Sequence, residues 1–323
     1  MINIAEIDEL ISKSSINELS EISEKVQIVK KSLSEENYDK IVENFFWAYR
    51  NGEESILDSK KRFFIEIPKE DGLARVHQEN LTELLKIFNK LCNEAGVGYA
   101  LKGGSLIGAI RHSGFIPWDD DIDVIMLHSD FLKLIKYMEA NAIYNSFEIW
   151  YLNSRFRRYF LPRFRIKGFP SLFIDIFCLA EVDSSSDRMK MRAMFRNAKK
   201  EHYETMLDFK DDFENLTKIG KEIIEGFSSK FSKKGLKDAL AQAPGHNFKS
   251  DLHKASDILP FREISFENIK SYVPNNPIVY LNGMNSFSDI YSFPRRKFPA
   301  HINILKRAKQ IYEIKEWLGE YER

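Results

Sequence analysis

Residues 103–126 read Gly-Gly-Ser-Leu-Ile-Gly-Ala-Ile-Arg-His-Ser-Gly-Phe-Ile-Pro-Trp-Asp-Asp-Asp-Ile-Asp-Val-Ile-Met, a glycine-serine turn followed by four carboxylates set against a β-branched apolar run. The alternation from Asp121 to Met126 predicts a strand, and side chains two apart on a strand share a face. Asp121 and Asp123 then point together. Carboxylates held side by side repel each other unless a hard cation such as Mg²⁺ or Mn²⁺ takes oxygen ligands from both. A further acid, Asp175, sits in the middle of the apolar run Leu172-Phe173-Ile174-Asp175-Ile176-Phe177-Cys178, where an unpaired charge would be expensive. The pattern proposes three carboxylates, Asp121, Asp123 and Asp175, around one or two divalent ions. The backbone N–H groups of Gly103, Gly104 and Ser105, at a helix start, would receive a phosphate. That is metal-dependent chemistry on phosphate.

The surrounding residues divide into helpers and scaffold. Asp120 has the wrong parity to join Asp121 and Asp123 and is expected to cap, bond to loop backbone or meet solvent. Asp119 is open between ligand and loop residue. Arg111, at the end of the short helix, is expected to bind phosphate through its planar fork, and His112 to serve structure or substrate. Phe115 and Trp118 read as packing. Between the acidic segments Arg155, Arg157, Arg158, Arg163, Arg165 and Lys167 interleave with Phe156, Tyr159, Phe160 and Phe164. Alternation puts Arg163, Arg165 and Lys167 on one side of a strand, with Arg165 the candidate for a donor phosphate. Such a strand could also be a platform for single-stranded nucleic acid. The formal net charge of zero makes that the lesser reading.

The elements needed to position these groups can be read along the chain. Ser15-Ile16-Asn17-Glu18 is a capping-box pattern, and two amphipathic helices follow within residues 1–50. A polar stretch at 51–61 reads as a link. A stronger helix is expected over 72–95, with Leu81, Leu84, Leu85, Phe88, Leu91 and Cys92 on one stripe, ending at Gly96. Val97, Tyr99 and Leu101 form a short strand before the Gly-Gly turn. A helix after Ser129 and β-like runs at 147–152, 159–166 and 172–179 follow. Residues 185–240 read as charged helix, and a terminal helix is expected near 303–320. The division is a helical accessory region (1–72), a catalytic core (73–182) and a helical C-terminal part completing the substrate site (183–323).

Composition bounds the rest. The chain has 323 residues, 43% of them hydrophobic, enough for one large or two modest domains with a full core. Cys92 and Cys178 are its only cysteines, too few for a disulfide framework or a cysteine-based zinc site. A reducing cytoplasm is expected. The first residues lack the features of an export signal, and no run of about eighteen apolar residues occurs.

The segment from about Gln78 to Met126, with Leu-Lys-Gly-Gly-Ser-Leu-Ile-Gly-Ala-Ile-Arg-His-Ser-Gly-Phe-Ile-Pro-Trp-Asp-Asp-Asp-Ile-Asp at its centre, closely resembles the LicD/fukutin family of phosphotransferases. Phe173-Ile174-Asp175-Ile176-Phe177 is similar to that family's second acidic strand, and Phe266-Glu267 and Val273-Pro274 are a fainter echo. The resemblance implies an α+β, nucleotidyltransferase-like fold, a mixed sheet flanked by helices, here with additional N- and C-terminal helices. It implies transfer of a phospho-alcohol (phosphocholine, glycerol phosphate or ribitol phosphate) from a CDP-activated donor to a hydroxyl of a glycan or lipid-linked glycan, releasing CMP. Asp121, Asp123 and Asp175 become metal ligands, with Asp175 also the candidate base. The work would be cell-surface glycan modification, as of lipopolysaccharide, capsule or teichoic acid, done from the cytoplasmic side, with peripheral membrane association left open. Two departures touch the substrates: Arg165 stands where a lysine is expected, and Leu281-Asn282-Gly283-Met284 replaces a tyrosine-glycine stretch.

Rival readings share the carboxylates. A nucleotidyltransferase would move a nucleoside monophosphate from a triphosphate, a glycosyltransferase would use its own Asp-x-Asp, and an inactive member would only bind. A calcium loop fits poorly, because Val124 replaces the required glycine and Asp130 the closing glutamate.

Overall fold

The computed structural model describes residues 52–152, 161–185, 212–231, 237–242, 252–284, 290–292 and 307–321, with scattered positions at 43–50 and 187–197. The two amphipathic helices expected within residues 1–50 lie almost wholly outside the described residues.

The stretch read as a polar link carries a helix instead, α1 (Ile56–Glu66). Ser55 starts it, its hydroxyl accepting from the Asp58 N–H at 3.1 Å, so a local cap outweighs the polar composition. Helix α2 (Gly72–Ala95) has the expected bounds and buries the expected stripe. Gly96 stops it at φ 64°, the left-handed conformation that a glycine C-cap adopts without Cβ strain.

Strand β1 (Ala100–Leu101) leads into α3 (Gly103–His112), and the chain returns through a loop to β2 (Ile122–Leu127). Helix α4 (His128–Ala140) is followed by β3 (Phe147–Leu152), β4 (Leu161–Ile166) and β5 (Phe173–Val182), close to the three expected runs. The sheet order is β1-β2-β5-β4-β3, with β2 and β5 parallel and the other pairs antiparallel. This is the expected mixed sheet.

The region after residue 183 is not purely helical. After α5 (Phe213–Phe231), strands β6 (Ala239–Gln242) and β7 (Leu252–Lys254) extend the same sheet beyond the far half of β5. These strands are only three or four residues long, too short for alternation to mark them in the sequence. A hairpin of β8 (Arg262–Phe266) and β9 (Ile269–Val273), a short helix α6 (Pro277–Gly283) and the terminal α7 (Ala308–Tyr321) complete the described chain.

The sheet and helices enclose one apolar core. Phe88 of α2 meets Tyr99 and Phe164 at ring separations of 5.1 and 5.2 Å, and Phe147 stacks on Phe164 at 5.3 Å. Asn80 of α2 donates to the Ile311 carbonyl of α7 at 2.8 Å, fixing the terminal helix against the helix that supports the acidic loop. No helix among the described residues is long and apolar enough to cross a membrane.

Candidate active site

The carboxylates meet because β2 and β5 run parallel in register. Asp123 is the partner of Asp175 across that pair, and neighbouring strands lie about 4.8 Å apart, so the two side chains share a face. Oxygens of Asp121, Asp123 and Asp175 all come within 4.8 Å of one another. Three carboxylate groups at that spacing offer hard oxygen donors of the kind that Mg²⁺ or Mn²⁺ takes.

Helix α3 abuts this cluster with its N-terminus. Gly103 has φ 56°, and a Cβ there would stand 3.3 Å from Asp123 Oδ2. A Cβ on Gly104 would stand 2.7 Å from Asp119 Oδ2, closer than a real side chain tolerates. The positive φ favours glycine at 103, and a side chain at 104 would have to displace the Asp119 carboxylate from the helix start, whose partial positive charge favours anions. Ser105 is buried, and its hydroxyl accepts from the Asp123 N–H at 3.0 Å. That bond locks α3 to the acidic strand.

The parity expected for Asp120 does not apply. The strand begins only at Ile122, so Asp119, Asp120 and Asp121 lie on the loop before it, where strict alternation has no hold. Asp120 is buried, and one oxygen from each of the three lies within 4.8 Å of the others. Helix α2 holds this loop from below. His77 Nε2 donates to the Asp120 carbonyl at 3.0 Å, while Gln78 Nε2 donates to the carbonyls of Pro117 and Asp119 at 2.8 and 3.0 Å. Neither residue stood out in the sequence, because a polar side chain on a helix carries no mark of the loop it will meet.

Among the cations, the structure favours Arg163 over Arg165. Arg163 is the register partner of Asp175 and forks onto it, Nε to Oδ1 at 2.5 Å and Nη2 to Oδ2 at 3.3 Å. Its guanidinium also lies 3.6 Å from the Phe173 ring centroid. Arg165 instead bonds Glu148 at 2.8 Å and covers the Trp150 ring at 4.5 Å. The two arginines share a face, as alternation requires, and strand register decides which one meets Asp175.

Arg111 is not brought to the acidic cluster. It sits at the other end of α3, about 12 Å along the helix from Gly103. Its Nη1 donates to the carbonyls of Ile290 and Ser292 at 3.0 and 3.4 Å, and its guanidinium stacks on Phe64 at 4.2 Å. This arrangement makes it a tie between α3, α1 and the 290–292 segment. His112 belongs to the same tie, accepting from Arg111 Nε at 2.9 Å. Burial, and then the Arg111 charge, push its pKa down to about 3.

One more buried acid braces the loop that follows α3. Glu267, in the β8–β9 turn at φ 52°, accepts from Lys69 at 2.6 Å, Arg75 at 2.8 Å and the Phe115 N–H at 3.1 Å. Burial alone would raise its pKa, and these partners outweigh that and hold it below the ordinary glutamate value.

Sequence comparison identifies the unit that carries these residues. Residues 96–220 match the domain family described as LicD/FKTN/FKRP, nucleotidyltransferase domain. The lipopolysaccharide cholinephosphotransferase LicD of Haemophilus influenzae is 47% identical over 64 residues, 19% of this chain and 24% of that protein. Ribitol 5-phosphate transferase FKRP of Mus musculus and that of Homo sapiens are each 63% identical over 44 residues, 14% of this chain and 9% of theirs. The matched stretches thus span a quarter or less of those relatives. With the mixed sheet and the acidic motif at their expected places, residues 96–220 are similar to the LicD/FKTN/FKRP nucleotidyltransferase domain.

Proposed function

We propose that this protein is a metal-dependent phosphotransferase, moving a phospho-alcohol from a CDP-activated donor to a glycan hydroxyl with release of CMP. The observation that carries the reading is the convergence of Asp121, Asp123 and Asp175 beside the N-terminus of α3. The names of the matched relatives, a cholinephosphotransferase and a ribitol 5-phosphate transferase, support the transferred group's class.

In this reading Asp121, Asp123 and Asp175 hold the divalent ion, whose chemistry is to neutralise charge on the diphosphate. The α3 N-terminus offers backbone donors to a phosphate oxygen. Ser105 keeps Asp123 in place, and His77 and Gln78 keep the loop carrying Asp121 in place. Both oxygens of Asp175 accept from Arg163, so we assign Asp175 to holding the ion rather than to taking the acceptor's proton. Catalysis of this type comes mainly from positioning and charge compensation, which such a rigid cluster supplies.

The test is a substrate panel with Mg²⁺ or Mn²⁺. CDP-choline, CDP-ribitol and CDP-glycerol are each offered with a glycan acceptor, alongside nucleoside triphosphates and sugar nucleotides. CMP release from a CDP-alcohol is the expected result. Pyrophosphate release from a triphosphate would replace this reading with nucleotidyl transfer.

A further inference from the structure

We infer that Lys102 is a phosphate-binding cation of this site, gripping the donor's diphosphate from the side opposite Arg163; the inference rests on the phosphotransferase reading above. In the β1–β2 pair Leu101 faces Val124, so the next residue, Lys102, falls opposite Asp123, and its N–H donates to the Asp123 carbonyl at 2.9 Å. Lys102, Asp123, Asp175 and Arg163 thus follow one another across four strand positions, cation, acid, acid, cation.

The side chain lies on the reactive face. Lys102 Nζ stands 4.3 Å from the centroid of Phe177, which is two residues beyond Asp175 on β5 and so on the same side of the sheet. The residue is only 7% exposed. An ammonium group that far from water persists beside anionic charge, and this face supplies it in Asp121, Asp123 and Asp175. The aromatic face of Phe177 adds a cation–π contact that steadies the stem.

The balance of charge then favours an anionic ligand. The five carboxylates of Asp119, Asp120, Asp121, Asp123 and Asp175 with Lys102 and Arg163 carry a formal charge of about −3, which two divalent ions turn to about +1. Lys102 is also the residue before α3, whose first turn lies against the carboxylates of Asp119 and Asp123. A lysine there acts as a point charge, suited to a phosphate oxygen whose orientation changes as the bond to the leaving nucleotide breaks.

The experiment compares wild type, Lys102→Met, Lys102→Arg and Lys102→Gln by calorimetric titration, first with Mn²⁺ alone and then with CDP at saturating Mn²⁺. Lys102→Met keeps the length of the stem and removes the charge. It is expected to bind Mn²⁺ at least as tightly as wild type, since a competing cation has gone. Its CDP affinity is expected to fall about tenfold or more, the scale of one lost charge-assisted hydrogen bond. Lys102→Arg should stay within about threefold of wild type for CDP, because it retains the charge. If Lys102→Met fails to fold, Lys102→Gln is read in the same way. Undiminished CDP binding by the folded neutral variant overturns the inference, as does a parallel loss of Mn²⁺ binding or failure of both neutral variants to fold. A wild-type protein that binds Mn²⁺ but no CDP would instead overturn the phosphotransferase reading, and Lys102's role with it.

Discussion

Arg163 and Asp175 face each other across the antiparallel β4–β5 pair and close a two-point ion pair, both side chains largely shielded from water. Removing one partner of such a pair leaves a buried charge uncompensated, which costs about 3–5 kcal/mol. Arg163→Met is therefore expected to lower the urea midpoint of the metal-free protein sharply. Added Mn²⁺ should recover more stability in the variant than in wild type, because the ion supplies the missing positive charge. Equal midpoints for the two metal-free proteins would show that the pair contributes nothing.

Asp123→Ala should separate chemistry from folding. The Asp123 backbone N–H, and not its carboxylate, makes the bond to Ser105, so the tie between α3 and β2 survives the substitution. Turnover should fall about 10³-fold or more, the effect of removing a group from a preorganised charged site. Melting of the metal-free variant should match or exceed wild type, since one of three mutually repelling carboxylates is gone. Retained turnover would contradict the assignment of Asp123.

Gln78→Leu should damage the site from a distance. It strips donors from the carbonyls of Pro117 and Asp119, and each such buried loss costs about 1–3 kcal/mol. Faster amide hydrogen exchange in residues 117–121 is expected, with weaker Mn²⁺ binding. Exchange confined to α2 would place the role of Gln78 in the helix alone.

His112 sets a pH dependence whose sign follows from its environment. Its folded pKa of about 3 lies below the ordinary histidine value of 6.5, so the unfolded chain binds the extra proton. The associated stability is fully present above pH 6.5 and is lost progressively as the pH falls toward 3. Replacing His112 with Gln should flatten the decline of the urea midpoint across that window. NMR of the wild-type ring should show it neutral at pH 5, and a ring that titrates near 6.5 would contradict the buried tie with Arg111.

Much of this arrangement was legible from local pattern. The bounds of α2, the Gly-Gly-Ser turn into α3, the acidic strand and the buried Asp175 all follow from periodicity and from the cost of isolated charge. What stayed hidden depends on register or on distant chain. Alternation groups Arg163 with Arg165, yet only the β4–β5 pairing decides that Arg163 meets Asp175 and Arg165 meets Glu148. Asp120 joins its neighbours because the strand starts one residue later than the alternation suggests. Arg111 is held by carbonyls some 180 positions downstream, and Glu267 reaches back to Phe115, links that no local window contains. Strands β6 and β7 are recognisable only once β5 offers them an edge.

The most direct measurement is Mn²⁺ binding followed by electron paramagnetic resonance in wild type, Asp123→Ala and Asp175→Ala, each first shown to be folded. Wild type is expected to capture the ion, and each variant to lose most of that capture. If either variant binds Mn²⁺ as wild type does, Asp121, Asp123 and Asp175 do not form one metal centre and the account fails.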